Sequence, residues 1–160
     1  AIVEYVAETH PNVWPQEREA RAWARSASAE MHSSFGALRD ECSMNCGVRV
    51  AMNELSPGLK SNMARLDALW QEGLARFGGP FLAGDRFTAV DAFYAPVAFR
   101  IQTFNLTLSE ASLAYVQRLL DLPAMQDWYA AALKEPWREP MHEAETVKHA
   151  TLLSDERAIG

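Results

Sequence analysis

The most constraining feature of the sequence is an acidic residue set into an apolar segment, GDRFTAVDAFYAPVAFR. Residues 92–99, which follow Asp91, carry no charge, and Thr88 stands three residues before Asp91, as in a capping box with Asp in place of the usual Glu. We expect the Thr88 hydroxyl to accept the Asp91 amide and the Asp91 carboxylate to accept the Thr88 amide. A helix with this start and no charged face is predicted to be buried all round, with a kink at Pro96.

Amphipathic patterns on both sides of this segment predict further helices. Apolar residues recur at helical spacing from Gln16 to about Asp40, which predicts one long helix of about 40 Å. Ser56 and Pro57 are typical of a helix start, and the apolar stripe that follows them continues to Phe77. Each of these helices therefore has one apolar face to bury.

The second half of the chain continues the helical pattern. Thr107 and Glu110 form another candidate capping box, and a last helix is predicted to begin at Pro123. Residues 41–55 are predicted to be irregular and residues 137–160 to form a charged tail with at most one marginal helical stretch. No alternating strand pattern is found. The predicted fold is an all-α helical bundle around a buried central helix.

Charge and composition argue against several classes of function. A net charge of -6 and a pI of about 5.2, with no basic stripe, count against nucleic acid or an anionic membrane as partner. No run approaches the roughly 18 apolar residues of a membrane span, and the first residues lack the basic flank of a signal peptide. Cys42 and Cys46 are not spaced as zinc ligands, and HEAET at 142–146 lacks the second histidine of a zinc-protease motif. We therefore expect no metal, and free thiols in a reducing cytoplasm.

Four segments resemble, in the right order, parts of cytosolic glutathione transferases. FLAGDRFTAVDAFYAPVAFR resembles the segment around the buried sixth helix of that family, where a Thr/Ser-x-x-Asp capping box begins the helix. AIVEYVAETHP is similar to the last turns of the preceding thioredoxin-like domain, and LPAMQDWYAAALKEP to the family's terminal Leu-Pro helix. SAEMHSSF resembles the long-helix segment of the bacterial beta-type enzymes. The resemblance extends from residue 1 to about residue 137.

The resemblance implies a domain organisation. Residues 1–10 would end the last helix of a thioredoxin-like domain that is otherwise missing, and residues 11–15 would be a linker. Residues 16–137 would form the C-terminal α domain and residues 138–160 a charged tail. In this family the catalytic Ser, Tyr or Cys and most of the glutathione site belong to the thioredoxin-like domain. We therefore expect that this chain alone does not conjugate glutathione.

The resemblance also assigns roles to residues of the long helix. His32 matches the histidine that approaches the glutathione sulfur in beta-type enzymes, where an imidazole stabilises a thiolate. Glu30 matches the acid that reaches across the dimer to the glutathione ammonium. The lysine that follows the family histidine is replaced here by Ser33. The alternative interpretation is that His32 and Glu30 are ordinary solvent-facing helix residues.

Three more residues, Met31, Phe35 and Arg100, are predicted to line the pocket for a hydrophobic electrophile. Alternatively, Met31 and Phe35 belong to the core, and Arg100 extends to solvent. Thr88 and Asp91 are assigned a structural role only. On the long helix itself, small residues form one face that permits close approach of another helix, and a separate polar strip is of the kind that often borders a cleft. The polar strip comprises Arg25, Ser28, His32, Gly36 and Arg39.

Two functions follow as hypotheses. The first is the C-terminal domain of a cytoplasmic, homodimeric detoxification enzyme, a glutathione transferase in which glutathione thiolate attacks an electrophilic substrate. Glutathione would be its co-substrate, with no other cofactor, and dimerisation would use the long helix. The second is a non-catalytic docking module, of the kind found in translation-factor and synthetase assemblies, in which the small-residue face binds a protein partner.

Overall fold

The computed structural model describes residues 2–157. Over these residues the chain is mainly helical, with one two-stranded antiparallel sheet. The elements in chain order are α1 (Ile2–Ala7), α2 (Arg18–Ser33), α3 (Gly36–Glu41), β1 (Val48–Met52), α4 (Pro57–Phe77), α5 (Ala89–Phe104), α6 (Glu110–Leu120), α7 (Pro123–Leu133), α8 (Pro140–Val147) and β2 (Ala150–Asp155). The predicted all-α class is confirmed in outline, with this small sheet as an addition.

The chain forms two compact units. The first comprises the described residues up to Ser34 together with Leu66–Tyr94, and the second comprises Phe35–Arg65 together with the described residues from Ala95 onward. The domain boundaries predicted from the sequence, including the assignment of residues 1–10 to a second domain, stay predictions.

Asp91 organises the first unit from a fully buried position. Its Oδ2 accepts the Thr88 backbone amide at 2.9 Å, as predicted, and its Oδ1 accepts the Leu82 amide at 3.1 Å. The Thr88 hydroxyl donates to Oδ2 at 3.3 Å, while the Asp91 amide donates to the Thr88 carbonyl oxygen at 3.0 Å. The Thr88 hydroxyl therefore acts as a donor to the carboxylate, and the predicted bond from the Asp91 amide to that hydroxyl stays a prediction.

Large aromatic side chains complete the core of the first unit. The rings of Trp70 and Tyr94 meet edge to face at 5.5 Å, and the Tyr94 hydroxyl donates to the Ala27 carbonyl oxygen at 2.9 Å. This bond ties α5 to α2 within the unit. Small residues on the inner face of α2, Ala20, Ala24 and Ala27, are buried and make room for these rings.

The predicted long helix from Gln16 to about Asp40 is interrupted. Helix α2 ends at Ser33, Phe35 has a left-handed backbone with φ of 60°, and α3 begins at Gly36. An L-residue in this conformation cannot continue a right-handed helix. The apolar pattern of the sequence continues across this break, because Phe35, just before α3, and Leu38, within α3, are both buried.

Residues 41–55 and the tail contain the two strands, contrary to the prediction that no strand is present. Val48 and Val50 of β1 are buried with Arg49 half-buried between them, and β1 pairs with β2 in the register Val50↔Leu152. The pairing joins segments about a hundred residues apart, so neither shows a local signal. The Arg157 guanidinium anchors the end of this segment to Asp155 and Glu143.

Helix starts in the second unit are set by local caps. Ser56 accepts the Leu59 amide at 3.0 Å ahead of α4, as predicted, and α7 begins at Pro123, as predicted. The predicted Thr107 cap was wrong: Ser109 accepts the Ser112 amide and starts α6 at Glu110. Ser109 directly precedes the first helical residue, where a hydroxyl reaches the free amides.

Candidate functional site

A cavity of about 730 Å³ lies within the first unit. Its volume falls in the range of small-molecule sites, about 300–1,000 Å³. The walls come from α1, the linker that follows it, α2 and the first turns of α5. The residues that line it are Ile2, Val3, Glu4, Trp14, Arg25, Ser28, Ala29, His32 and Phe93.

The polar strip of α2 forms one wall of this cavity. Arg25, Ser28 and His32 stand at positions i, i+3 and i+7 of one helix, so their side chains share a face. All three line the cavity, as expected of a strip that borders a cleft. Gly36 and Arg39, the other members of the strip, lie beyond the end of α2 and belong to the second unit.

Arg25 and Glu4 form a bidentate ion pair at the cavity. The Arg25 Nε and Nη2 donate to the two Glu4 carboxylate oxygens at 2.9 and 2.8 Å. The hydrogen bond from Arg25 is the main reason that the Glu4 pKa lies below its ordinary value. The Trp14 indole N–H lies close enough to lower this pKa further, although it makes no hydrogen bond within the described residues. Arg25 also lies over the Trp14 ring at 5.6 Å. The pair fastens the short helix α1 to α2 and leaves the charge of Arg25 compensated.

Ser28 lines the same wall, and its hydroxyl oxygen is buried. The residue is 4% exposed, and its Oγ has no hydrogen-bond partner within the described residues. Two other serines on α2 behave differently. Ser26 and Ser33 donate to the carbonyl oxygens four residues earlier, at 3.1 and 2.9 Å. The Ser28 hydroxyl is therefore the one serine hydroxyl on the described α2 that lacks a partner.

The residues proposed for glutathione occupy different environments. His32 is exposed at the cavity wall, so it meets the first geometric requirement for contact with a ligand. Glu30 is half-buried and is not part of the described cavity wall. Their roles toward glutathione stay predictions.

The three residues proposed for the electrophile do not share the cavity wall described above. Met31 is 8% exposed and belongs to the buried face of α2, and Phe35 is 3% exposed in the second unit. Arg100, also in the second unit, donates to the Cys42 carbonyl oxygen, and burial lowers the pKa of its guanidinium. These positions are those of core and anchoring residues, and the proposed role in an electrophile pocket stays a prediction.

Sequence reasoning missed the contributions of Glu4 and Trp14 and did not single out Ser28. The available signal for Ser28 was its position in the polar strip, which has the spacing of one helix face. No local signal indicates that Glu4 of α1 meets Arg25, because the two residues belong to different elements.

Within residues 2–157, no group of three or more His, Cys, Asp or Glu side chains is arranged to hold a metal ion. None of the described helices combines the length and the apolar character required to cross a bilayer. Cys42 and Cys46 are both free thiols.

Comparison with known proteins agrees with the fold. A family model described as glutathione S-transferase, C-terminal domain, matches residues 21–131, well over half of the chain. The chain is also similar to a probable maleylacetoacetate isomerase of Caenorhabditis elegans, with 30% identity over 135 residues. That alignment covers 78% of this chain and 60% of the relative, so the chain spans well under the full length of the relative. The chain belongs to the glutathione S-transferase C-terminal domain family.

Proposed function

We propose that this chain supplies the ligand-facing wall of a glutathione transferase. In the whole protein, a thioredoxin-like domain would bind most of glutathione, and α2 would face the reacting sulfur. The observation that carries the proposal is the cavity of about 730 Å³ whose wall holds His32, Ser28 and Arg25 on one helix face. Its remaining walls are largely apolar, which suits a hydrophobic electrophile.

In this proposal the chain contributes electrostatics and positioning. An imidazole beside the glutathione sulfur favours the thiolate, because a nearby positive charge or hydrogen-bond donor lowers a thiol pKa. His32 has that role here. The thiolate then forms a bond to an electrophilic carbon held against the apolar wall, and the leaving group departs with the electrons of the bond that breaks.

The test is a conjugation assay on the whole protein that contains this chain, with glutathione and a chlorodinitrobenzene electrophile. His32→Ala is expected to lower kcat/KM about tenfold for each unit by which the thiol pKa rises. The acidic limb of the pH–rate profile should also move to higher pH. His149→Ala, at an exposed histidine of the second unit, is the matched control. Equal rates for the parent and His32→Ala would remove His32 from the mechanism.

The name of the worm relative favours a second candidate reaction. That relative is a probable maleylacetoacetate isomerase, and it shares 30% identity with this chain. Addition of maleylacetoacetate and glutathione to the whole protein tests isomerisation directly. If neither conjugation nor isomerisation occurs although glutathione binds, the non-catalytic docking module becomes the better interpretation.

We further propose that the whole protein is a cytoplasmic homodimer. Small side chains lie exposed along one face of α2, where they permit a second copy to approach closely: Ala22, Ser26, Ala29 and Ser33. Two free thiols suit a reducing compartment. Sedimentation of the whole protein, with Ala22→Arg as the disrupting variant, tests the dimer; an unchanged mass would contradict this interface.

A further inference from the structure

We propose that β2 is a self-association edge, at which a second copy of this chain adds its own β2 strand in antiparallel orientation. The edge belongs to the second unit and comprises Ala150–Asp155. It uses none of the residues proposed for glutathione or for the α2 interface. The inference therefore goes beyond the proposed function and can fail independently of it.

The first step of the argument concerns the backbone groups of β2. This strand pairs with β1 alone in the two-stranded sheet of the described residues. The Asn53 amide donates to the His149 carbonyl oxygen at 3.0 Å, and the same register pairs Ala51 with Thr151. Because hydrogen-bonded and non-hydrogen-bonded pairs alternate in an antiparallel ladder, His149 and Thr151 direct their backbone groups to β1. Leu152 therefore directs its amide and carbonyl away from β1, where a further strand can pair.

The second step concerns the side chains of this edge, which are apolar and exposed. Leu152 is 51% exposed and Leu153 is 62% exposed. Val50, the cross-strand partner of Leu152, is fully buried, and directly paired residues share one face of a sheet. The buried face of the sheet therefore continues onto β2, where half of Leu152 stays exposed. An exposed edge strand that carries large apolar side chains is a template for another strand.

An irregularity limits how far a second strand can pair. The register of β1 with β2 shifts between Arg49 and Val50, which leaves Leu153 as an extra residue on β2. Regular pairing is therefore confined to the part of the edge before Leu153. A two-fold axis at Thr151 uses this same part in both copies. So short a pairing predicts weak and reversible association.

The distribution of charge along β2 favours a second copy as the occupant. Lys148 precedes the strand, Asp155 and Glu156 lie at its other end, and all three are exposed. The Arg157 guanidinium already pairs with Asp155, whereas the Glu156 carboxylate accepts only the Ser154 hydroxyl among the described groups. An antiparallel pairing about a two-fold axis places Lys148 of each copy at the Glu156 end of the other. Opposite charges then meet at both ends of the pairing, which is favourable between strands.

The test is sedimentation of the whole protein that contains this chain, as a function of protein concentration. Ala22→Arg serves as the background, so that association through α2 does not contribute. Leu152→Arg is expected to raise the dissociation constant at least about tenfold, because it removes a buried leucine contact and adds like charges near the axis. Leu113→Arg, at a leucine of α6 that is 39% exposed, is the matched control and should leave the constant unchanged.

Charge reversal and crosslinking identify the pairing itself. Lys148→Glu should weaken association, and the double variant Lys148→Glu with Glu156→Lys should restore it. Thr151→Cys should form a disulfide between two copies under mild oxidation, since opposed residues of a non-hydrogen-bonded pair have Cα atoms about 4.5 Å apart. Leu113→Cys, with the same two native thiols, is the control and should not crosslink.

Three results would overturn the proposal. They are a mass that does not change with concentration, an equal dissociation constant for Leu152→Arg and Leu113→Arg, and the absence of both charge rescue and crosslinking. A β2 edge that binds an extended segment of a different protein would give the first result with the purified protein. None of these measurements involves glutathione, so each outcome leaves the conjugation test of His32 separate.

Discussion

The backbone amide of Leu82 donates to the Asp91 Oδ1 at 3.1 Å, so the acid that begins α5 also holds the loop before it. The other carboxylate oxygen accepts the Thr88 amide, and the Asp91 side chain that makes both bonds is fully buried. A buried carboxylate is tolerated when its oxygens are hydrogen-bonded. Asp91 is thus a structural crosslink between the end of the loop and the buried helix.

We expect Asp91→Asn to destabilise the first unit by about 3 kcal/mol. The amide nitrogen of Asn is a donor, so it faces one of the two backbone amides without an acceptor. Urea unfolding followed by circular dichroism measures the loss. Asp85→Asn, at an exposed acid of the preceding loop, is the control and should change stability by less than about 0.5 kcal/mol. Equal stability of the two variants would show that the carboxylate is dispensable.

Gly73 of α4 is required by close packing rather than by its backbone angles. A Cβ at this position would lie 2.4 Å from the Trp23 ring and 2.6 Å from the Leu82 carbonyl oxygen. Because one of these neighbours is backbone, it cannot simply rotate away. We expect Gly73→Ala to lower the free energy of unfolding by about 2 kcal/mol.

Gly36 has open space around it, unlike Gly73, because a Cβ at Gly36 would meet nothing within 4 Å. Gly36→Ala should be neutral or should stabilise by up to about 1 kcal/mol, because alanine favours a helix. Thermal or urea unfolding of both variants is the measurement. A Gly73→Ala protein as stable as Gly36→Ala would contradict the packing described here.

The two thiols should differ strongly in reactivity. Burial raises the pKa of Cys42 to about 12, and Cys42 is fully buried, whereas Cys46 is only half-buried. Since the thiolate is the nucleophile, iodoacetamide at pH 8 should label Cys46 at least about 100-fold faster. Tryptic mass spectrometry reads each site. In urea the two rates should converge, and faster labelling of Cys42 in the folded protein would contradict its burial.

The ion pair between Glu4 and Arg25 predicts a dependence of stability on pH. The hydrogen bond from Arg25 lowers the Glu4 pKa in the folded protein below its ordinary value of 4.5. Its stabilisation is therefore present above that ordinary value and is lost as pH falls through the lowered folded pKa. Both side chains are about half exposed, so solvent screening limits the effect to about 0.5 kcal/mol.

Comparison of the parent with Glu4→Gln measures this effect. The parent should be more stable at pH 7, and the difference between the two urea midpoints should vanish once the pH lies well below the lowered pKa of Glu4. A difference that persists at the lower pH would mean that Glu4 contributes through packing and not through its charge.

Local interactions were readable from the sequence because the groups involved are a few residues apart. Ser56 with Pro57, Pro123, and the capping pair Thr88 and Asp91 each placed the start of a helix correctly, since a cap involves only the next turn. The polar strip of α2 was also evident, because side-chain direction follows directly from helical spacing.

The features that define the candidate site depended on distant segments. Whether Ser28 has a partner, and whether Arg25 meets Glu4, is decided by how α1 and the linker pack on α2, which no pattern within α2 contains. The left-handed turn at Phe35 and the pairing of β1 with β2 likewise could not be predicted from a local pattern. The sequence by itself determined most of the helical segments and their apolar faces. Only the tertiary structure decided which polar groups are satisfied, because that balance depends on neighbours brought together by folding.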